Sequence, residues 1–203
     1  MADDDALYAW LARAGAHNDF VEWARPFGTD VGALWQACPR GDWLLALATR
    51  LRAPTRVLVV AACGCAQAAL DHVPPEHAEV GDLLAELHAW ADSALPALTV
   101  ERIETMRGQL EAARDAATDP AHAEAVLAAL AALETVGDPA YAASAAAFAA
   151  QATMVSAADC AMMEALRFAQ HQSAETVRAA LPEAAISELW SQRERRARAL
   201  REP

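Results

Sequence analysis

Alanine recurs along almost the whole chain, and this feature constrains the fold more than any other. It fills 55 of the 203 positions, whereas glycine fills only 8. Alanine is the best helix former and glycine is among the poorest, so this ratio predicts helices. No segment offers a partner strand from which a sheet could be built. The chain is therefore predicted to be all-α, folded as a multi-helix bundle.

The signals that start and stop helices lie close together in the first third of the chain. The carboxylates of Asp3–Asp5 favour a helix start, and Gly15 ends that helix. Thr29 or Asp30 starts a later helix that Pro39 closes, and Asp42 is the expected cap of the next one. Short helices are predicted here. Residues 1–203 form one domain, because a chain of this length with 55% hydrophobic residues can bury one sizeable core.

The run from Val57 to Leu70 is the most apolar part of the sequence. Its first half is also compatible with a buried strand, because periodicity does not separate a short apolar run from a buried helix. The alanines that continue to Leu70 and the position of Pro54 before the run favour a helix. A helix that is apolar on all sides belongs in the centre of a bundle. Gly64 would let a neighbouring helix approach closely.

Long alanine-rich helices are predicted for residues 99–203. Thr99 caps the first of them, and the pair Asp119-Pro120 starts the next. The pair Asp138-Pro139 repeats this start signal, and the helix that follows is predicted to run some thirty residues to about His171. A terminal pair of helices is interrupted by Pro182.

Two further groups of residues have predicted structural roles. Three tryptophans interleaved with two phenylalanines predict a small aromatic core, which comprises Phe20, Trp23, Phe27, Trp35 and Trp43. The arginines of the C-terminal tail predict a solvated helix end that complements the helix dipole. They are Arg193, Arg195, Arg196, Arg198 and Arg201.

The sequence shows no pattern that is typical of a catalytic or metal site. Cys63 and Cys65, two residues apart, point in opposite directions on a helix and are expected to pack in the core as free thiols. Cys160 and His171 would lie about 16 Å apart on one continuous helix, too far for a nucleophile and its base. No histidine pair has ligand spacing. We expect no catalysis, metal or cofactor; a metal-dependent bundle enzyme is the third-ranked alternative.

The charge of the chain excludes some partners and favours others. The net charge of −12 repels nucleic-acid backbones and anionic lipid surfaces. The acidic start, Met1-Ala2-Asp3-Asp4-Asp5, lacks the basic region of a secretory signal, so a cytoplasmic protein is predicted. After Pro75 an amphipathic helix is predicted with acidic residues on one side. These residues, Glu76, Glu79, Asp82 and Glu86, are named here the acidic surface, and they are the predicted partner-binding residues.

Several motifs resemble a family of bacterial immunity proteins from polymorphic-toxin systems. The most specific is the run Trp35-Gln36-Ala37-Cys38-Pro39-Arg40-Gly41-Asp42-Trp43-Leu44. The runs Phe20-Val21-Glu22-Trp23, Val59-Val60-Ala61-Ala62-Cys63-Gly64-Cys65-Ala66 and Glu86-Leu87-His88-Ala89-Trp90-Ala91 accompany it. The resemblance covers residues 18–95 and continues loosely into the alanine-rich half. It implies an all-helical fold and a binding role, and it carries no catalytic residues.

The resulting hypothesis is an immunity protein that neutralises a cognate, basic protein toxin by binding it. The alternative is a structural or oligomeric helical adaptor. The small-residue surface from Tyr141 to Ala161 motivates this alternative, because such surfaces allow helices of two protomers to pair closely and form a homo-oligomer. The two hypotheses differ in whether the chain binds another protein or itself.

Overall fold

The computed structural model describes residues 7–93 and 98–200, which form α-helices and no β-strand. The all-α prediction is confirmed. Asp3–Asp5 and Arg201 lie outside the described residues. The α-helices are α1 (Leu7–Arg13), α2 (Asn18–Ala24), α3 (Val31–Ala37), α4 (Gly41–Arg50), α5 (Thr55–Gln67), α6 (Glu79–Asp92), α7 (Val100–Ala116), α8 (Pro120–Glu134), α9 (Tyr141–Ser156), α10 (Met162–Ala180) and α11 (Glu183–Ala199).

The apolar run after Pro54 is helical and central, as predicted. It forms α5, which packs against α4, α6, α8, α9 and α10. Gly64 permits the close approach of α10, because a Cβ atom at this position would lie 2.7 Å from the Cγ2 atom of Thr176. Side chains of α5 such as Leu58 and Cys63 are almost completely buried. The centre of the bundle is thus built from a helix with almost no solvated side.

The prediction of one long helix from Pro139 to His171 is wrong. The chain leaves helical geometry at Ala157, whose φ of −82° and ψ of 154° are extended, and a new helix begins at Met162. A straight helix of thirty residues would instead extend for about 45 Å in one direction. The break folds α10 back against α9, α4 and α5 and buries Ala174 and Val177. Burial therefore outweighs the helix propensity of the alanines.

The alanine surface that motivated the homo-oligomer lies largely inside one chain. The helix α9 packs against α8 over most of its length and also contacts α10, α4 and α5. Its inward-facing residues are all buried: Ala142, Ala145, Ala146, Ala149, Ala150 and Ala152. Helix pairing through small residues is thus observed, but between helices of the same protomer. None of the described helices is long and apolar enough to cross a membrane.

Three helix starts are capped as the sequence predicts, and two differ. The side chains of Asp30, Thr99 and Asp119 accept backbone N–H groups of the helices that follow them. Asp42 does not cap α4, because this helix begins one residue earlier, at Gly41, and the Asp42 carboxylate binds the Arg40 guanidinium instead. The helix signalled by Asp138-Pro139 begins only at Tyr141.

At the C-terminal ends of three helices, backbone carbonyls accept hydrogen bonds from an arginine of a different helix. Arg50 of α4 donates to carbonyls after α1, Arg56 of α5 to carbonyls at the end of α6, and Arg178 of α10 to carbonyls at the end of α3. The last carbonyls of a helix have no partner within it and attract positive charge. The accepting carbonyls belong to Ala14, Gly15, Trp90, Ser93, Trp35 and Cys38.

The predicted aromatic core forms without one of its members. The rings of Phe20 and Trp43 stack with centroids 5.1 Å apart, and Trp23 lies 5.8 Å from Trp43 and 4.9 Å from Phe27. Trp35 is fully buried and has no described ring contact with this group. Four of the five aromatic residues thus form a cluster that joins α2 to α4.

Two of the tail arginines contact side chains of α11, and one of these also contacts α1. Arg193 lies over the rings of Trp10 and Trp190, with its Cζ atom 5.1 Å and 4.6 Å from their centroids. Arg195 forms an ion pair with Glu188 on the same helix. Exposed pairs of this kind add little stability, which is typical of a solvated helix end.

Candidate functional site

The acidic surface begins where the chain enters α6. Glu76 lies in a short 3₁₀ helix, Pro75–His77, and Glu79 and Asp82 lie in the first turn of α6. All three side chains are exposed. The pKa of the Glu79 carboxyl is lowered, mainly by a hydrogen bond from the backbone N–H group of the same residue. The nearby His77 lowers this pKa further. These carboxylates therefore lie where the positive end of a helix dipole stabilises them.

Glu86, the fourth predicted residue, differs from the other three. Both of its oxygens accept hydrogen bonds from the guanidinium of Arg102 on α7, and this contact lowers the pKa of Glu86. The side chains remain about 40% and 36% exposed, respectively, so the pair is partly solvated. Glu86 links α6 to α7 and presents much less unbalanced charge than its neighbours. Its role in partner binding stays a prediction.

Negative charge is concentrated around this surface. Residues 71–119 contain eleven acidic side chains and three arginines, so eight of the twelve excess negative charges fall in this stretch. All three arginines are already paired with carboxylates. Arg102 binds Glu86, Arg107 binds Glu104 and Glu134, and Arg114 binds Asp115. A second protein that approaches the helices of this stretch would meet more carboxylates than guanidinium groups.

Two histidines lie beside the acidic surface. The rings of His77 and His122 have centroids 5.1 Å apart, and the Nδ1 atom of His77 is 3.2 Å from a carboxylate oxygen of Glu79. His122 is only 4% exposed, and its Nε2 atom has no hydrogen-bond partner. Burial lowers the pKa of His122 most, and the adjacent His77 adds to this. The carboxylates of Asp119, Glu76 and Glu79 act in the opposite direction.

The described residues contain little that could serve catalysis. Over residues 7–93 and 98–200, no three His, Cys, Asp or Glu side chains are grouped so that they could hold a metal ion. Cys38, Cys63 and Cys65 are buried, and burial raises the pKa of each thiol to about 12. Thiols in this state are almost entirely protonated at neutral pH and are poor nucleophiles.

Cys160 differs from the other cysteines and from its predicted setting. It is exposed, not buried. It also precedes the start of α10 at Met162, whereas His171 lies within that helix. The two residues therefore do not share one continuous helix, and the separation of about 16 Å derived from such a helix does not apply.

A cleft that sequence reasoning missed lies on another part of the surface. It is bounded by the turn after α1, the outer side of α4 and the first half of α9, and has a volume of about 800 Å³. A smaller pocket of about 230 Å³ continues it towards α10 and shares Arg40, Asp42 and Ala147 with it. Ligand-binding clefts commonly measure about 300–1,000 Å³.

Residues of the most specific sequence motif form one wall of this cleft. Arg40 bonds to both carboxylate oxygens of Asp42, and its Cζ atom lies 4.4 Å from the ring centroid of Trp43. Phe20 stacks on the same tryptophan ring. The motif is therefore the one sequence signal that points to this wall. The facing wall, Ala143 and Ala147 of α9, comes from the alanine-rich half, where the sequence contains no comparable signal.

Comparisons with known proteins identify no similar protein. No protein-family model matches the chain, and neither the curated proteins nor the solved structures contain a match.

Proposed function

We propose that this chain is an immunity-type protein that acts in the bacterial cytoplasm and neutralises a basic toxin by binding it, without catalysis. The observation that carries the proposal is the concentration of eight excess negative charges within residues 71–119. A field of one sign raises the rate at which an oppositely charged protein associates, and it repels nucleic acids. The resemblance of residues 18–95 to immunity proteins agrees with this role.

Three residues of the acidic surface are the proposed contacts. Glu76 and Asp82 are exposed, and neither forms a salt bridge with a described residue. Glu79 is exposed and interacts only with the neighbouring His77 in the described salt bridges. Charges of this kind are free to pair with lysine or arginine side chains of a partner. Glu86 would contribute through its bridge to Arg102, which holds α6 against α7.

The test compares two charge reversals of equal size. One variant carries Glu76→Lys and Asp82→Lys. The control carries Asp159→Lys and Glu164→Lys, two exposed residues in the segment after α9 and in the first turn of α10. Each is used with the wild type to capture proteins from a lysate of the source organism, followed by mass spectrometry. The captured protein is then expressed alone and together with each version of the chain.

The proposal expects a basic protein that arrests growth when it is expressed alone. Wild type and the control variant should restore growth, whereas the variant at positions 76 and 82 should not. A captured protein that is harmless would contradict the function. Equal rescue by both variants would contradict the acidic surface as the site. Recovery of only the chain itself would instead favour the helical scaffold.

A further inference from the structure

The cleft next to α4 has a floor made almost entirely of alanine. Ala46 from α4 and Ala143 and Ala147 from α9 line it, and all three are partly exposed in the folded chain. Alanine is the smallest side chain with a Cβ atom, so the space exists because larger residues are absent from these positions. A ligand that enters the cleft therefore lies against methyl groups and helix backbone, which suits an apolar body.

The wall formed by α2 and α4 is aromatic. Phe20 is buried against one face of Trp43, and the guanidinium of Arg40 covers that ring as well. These two contacts hold the tryptophan in place, and its side chain remains partly exposed beside the cleft. Rigid aromatic walls of this kind bind flat or compact apolar groups with little loss of conformational entropy.

Several polar groups of the cleft already have hydrogen-bond partners. Both oxygens of Asp42 accept from Arg40, and the Thr49 hydroxyl donates to the carbonyl of Pro139. The carbonyls of Ala14 and Gly15 accept from Arg50.

A guanidinium offers five N–H donors. Arg50 uses three in its described bonds, to the carbonyls of Ala14, Gly15 and Ala46, and Arg40 uses two of its own on Asp42. The remaining N–H groups of these two guanidinium groups have no described acceptor and are available to a ligand.

Among residues 7–93 and 98–200, no carboxylate pairs with Arg50. Its guanidinium binds only carbonyl oxygens among the described residues, while Arg40 beside it is balanced by Asp42. The nearest carboxylate of the lining outside that pair, Asp19, is on the exposed rim, where its side chain is 76% exposed. Solvent screens such a charge strongly. The cleft thus contains one partly buried cation whose charge a ligand could balance.

From this geometry we propose that the cleft binds a small organic anion with an apolar, aromatic body. The body would lie on the alanine floor beside Trp43, and the carboxylate would accept hydrogen bonds from the unused N–H groups of Arg50. Charge-assisted hydrogen bonds to a guanidinium are the strongest contacts available in this lining. The proposal does not depend on the acidic surface or on a toxin.

The experiment uses two ligands with the same aromatic body, one with a charged and one with a neutral head group. Binding of 1-naphthaleneacetate and of its neutral amide, 1-naphthaleneacetamide, is measured by isothermal titration calorimetry on the full chain. The carboxylate should bind, and the amide should bind about tenfold more weakly or worse, because it loses the charge-assisted bonds. Equal affinity of the two ligands, or no binding of either, would overturn the proposal.

Two variants and two controls locate the site. Ala147→Phe fills the place where the cleft meets the smaller pocket and should abolish binding, whereas Ala112→Phe on the exposed side of α7 should not. Arg50→Gln should remove the preference for the carboxylate, whereas Arg52→Gln, an exposed neighbour outside the lining, should retain it.

Arg50 also holds the turn after α1, so circular dichroism must show that its variant is folded. If that variant does not fold, Ala147→Phe and the ligand pair still decide the proposal. Unchanged binding by Ala147→Phe would place the ligand elsewhere and contradict it.

Discussion

Gly41, the first residue of α4, lies so close to Ser173 of α10 that a Cβ atom at position 41 would be 2.7 Å from the backbone carbonyl carbon of Ser173. Ser173 is buried, and its carbonyl also accepts a weak hydrogen bond from the Cys65 thiol, with the sulfur 3.8 Å from the oxygen. Residues from α4, α5 and α10 therefore meet at one point. The small size of residue 41 determines how closely α10 can pack.

Gly41→Ala should lower the free energy of unfolding by about 1–3 kcal/mol, because backbone, and not only a side chain, would have to move. Gly64→Ala should cost less, since its nearest neighbour is the methyl end of Thr176. Gly108→Ala on exposed α7 meets nothing within 4 Å and should raise the stability by about 0.5–1 kcal/mol. Urea denaturation measures all three. Equal stability of the variants at positions 41 and 108 would refute the predicted clash.

Arg178→Gln should destabilise the fold by about 2–3 kcal/mol, because buried carbonyls at the end of α3 would lose charge-assisted donors. Its Nη1 atom lies 3.0 Å from the Trp35 oxygen and 2.9 Å from the Cys38 oxygen. Arg167→Gln, an exposed position on the same helix, should change stability by less than about 0.5 kcal/mol. Thermal and urea unfolding of the two variants should differ clearly. Similar unfolding free energies for both variants would show that water replaces Arg178 as the hydrogen-bond donor to these carbonyls.

His122 should make the stability of the protein depend on pH. Its pKa is lowered in the fold, so the unfolded chain binds its proton more readily. The contribution of His122 to stability is therefore fully present above the pKa of the unfolded chain, which is about 6.5. It is lost as the pH falls from there through the lower pKa of the folded protein. Urea denaturation between about pH 7 and pH 5 should show a smaller loss in His122→Gln than in the wild type. His88→Gln serves as the control, and parallel curves for all three proteins would contradict the prediction.

The four cysteines should differ sharply in reactivity. Cys160 is exposed, whereas Cys38, Cys63 and Cys65 are buried with the pKa of each raised to about 12 by desolvation. The native protein treated with a disulfide reagent such as 5,5′-dithiobis(2-nitrobenzoate) should therefore release one equivalent of chromophore rapidly. Cys160→Ser should abolish this phase, and denaturant should expose the remaining thiols. Rapid reaction of the native Cys160→Ser variant would show that the core opens easily.

Two residues of the acidic surface should differ in their effect on a toxin partner. Asp82→Asn removes a carboxylate that forms no described salt bridge, while Glu86→Gln removes one already bound to Arg102. With the toxin captured above, Asp82→Asn should weaken binding more, by about tenfold, and should reduce its salt dependence. Calorimetry at two ionic strengths measures both. A larger effect of Glu86→Gln would show that the α6–α7 bridge, not the free charge, matters for binding.

Local chemistry in the sequence predicted part of this fold well. The caps at Asp30, Thr99 and Asp119 were predictable because a side chain that satisfies the next turn acts over a few residues. The same reasoning failed at Asp42, where a guanidinium two residues earlier competes for the carboxylate. A cap is thus predictable only if no stronger partner is near.

Features that depend on distant parts of the chain were not predictable. The break between α9 and α10 contains neither proline nor glycine, and the gain from folding α10 back depends on the shape of α4 and α5. The cleft likewise joins residues near Arg40 to alanines near Ala147, which no local pattern connects. The acidic surface was found from sequence because charge is visible there, whereas the neutralisation of Glu86 by Arg102 is not.

The arginines that close α1, α3 and α6 have a consequence for the order of folding. The carbonyls at these helix ends receive their donors from residues 34 to 143 positions away in the chain. Helices of seven residues, such as α1 and α3, are too short to persist alone in water. They should become complete only after α4 and α10 have assembled, so α1 and α3 should form late in folding.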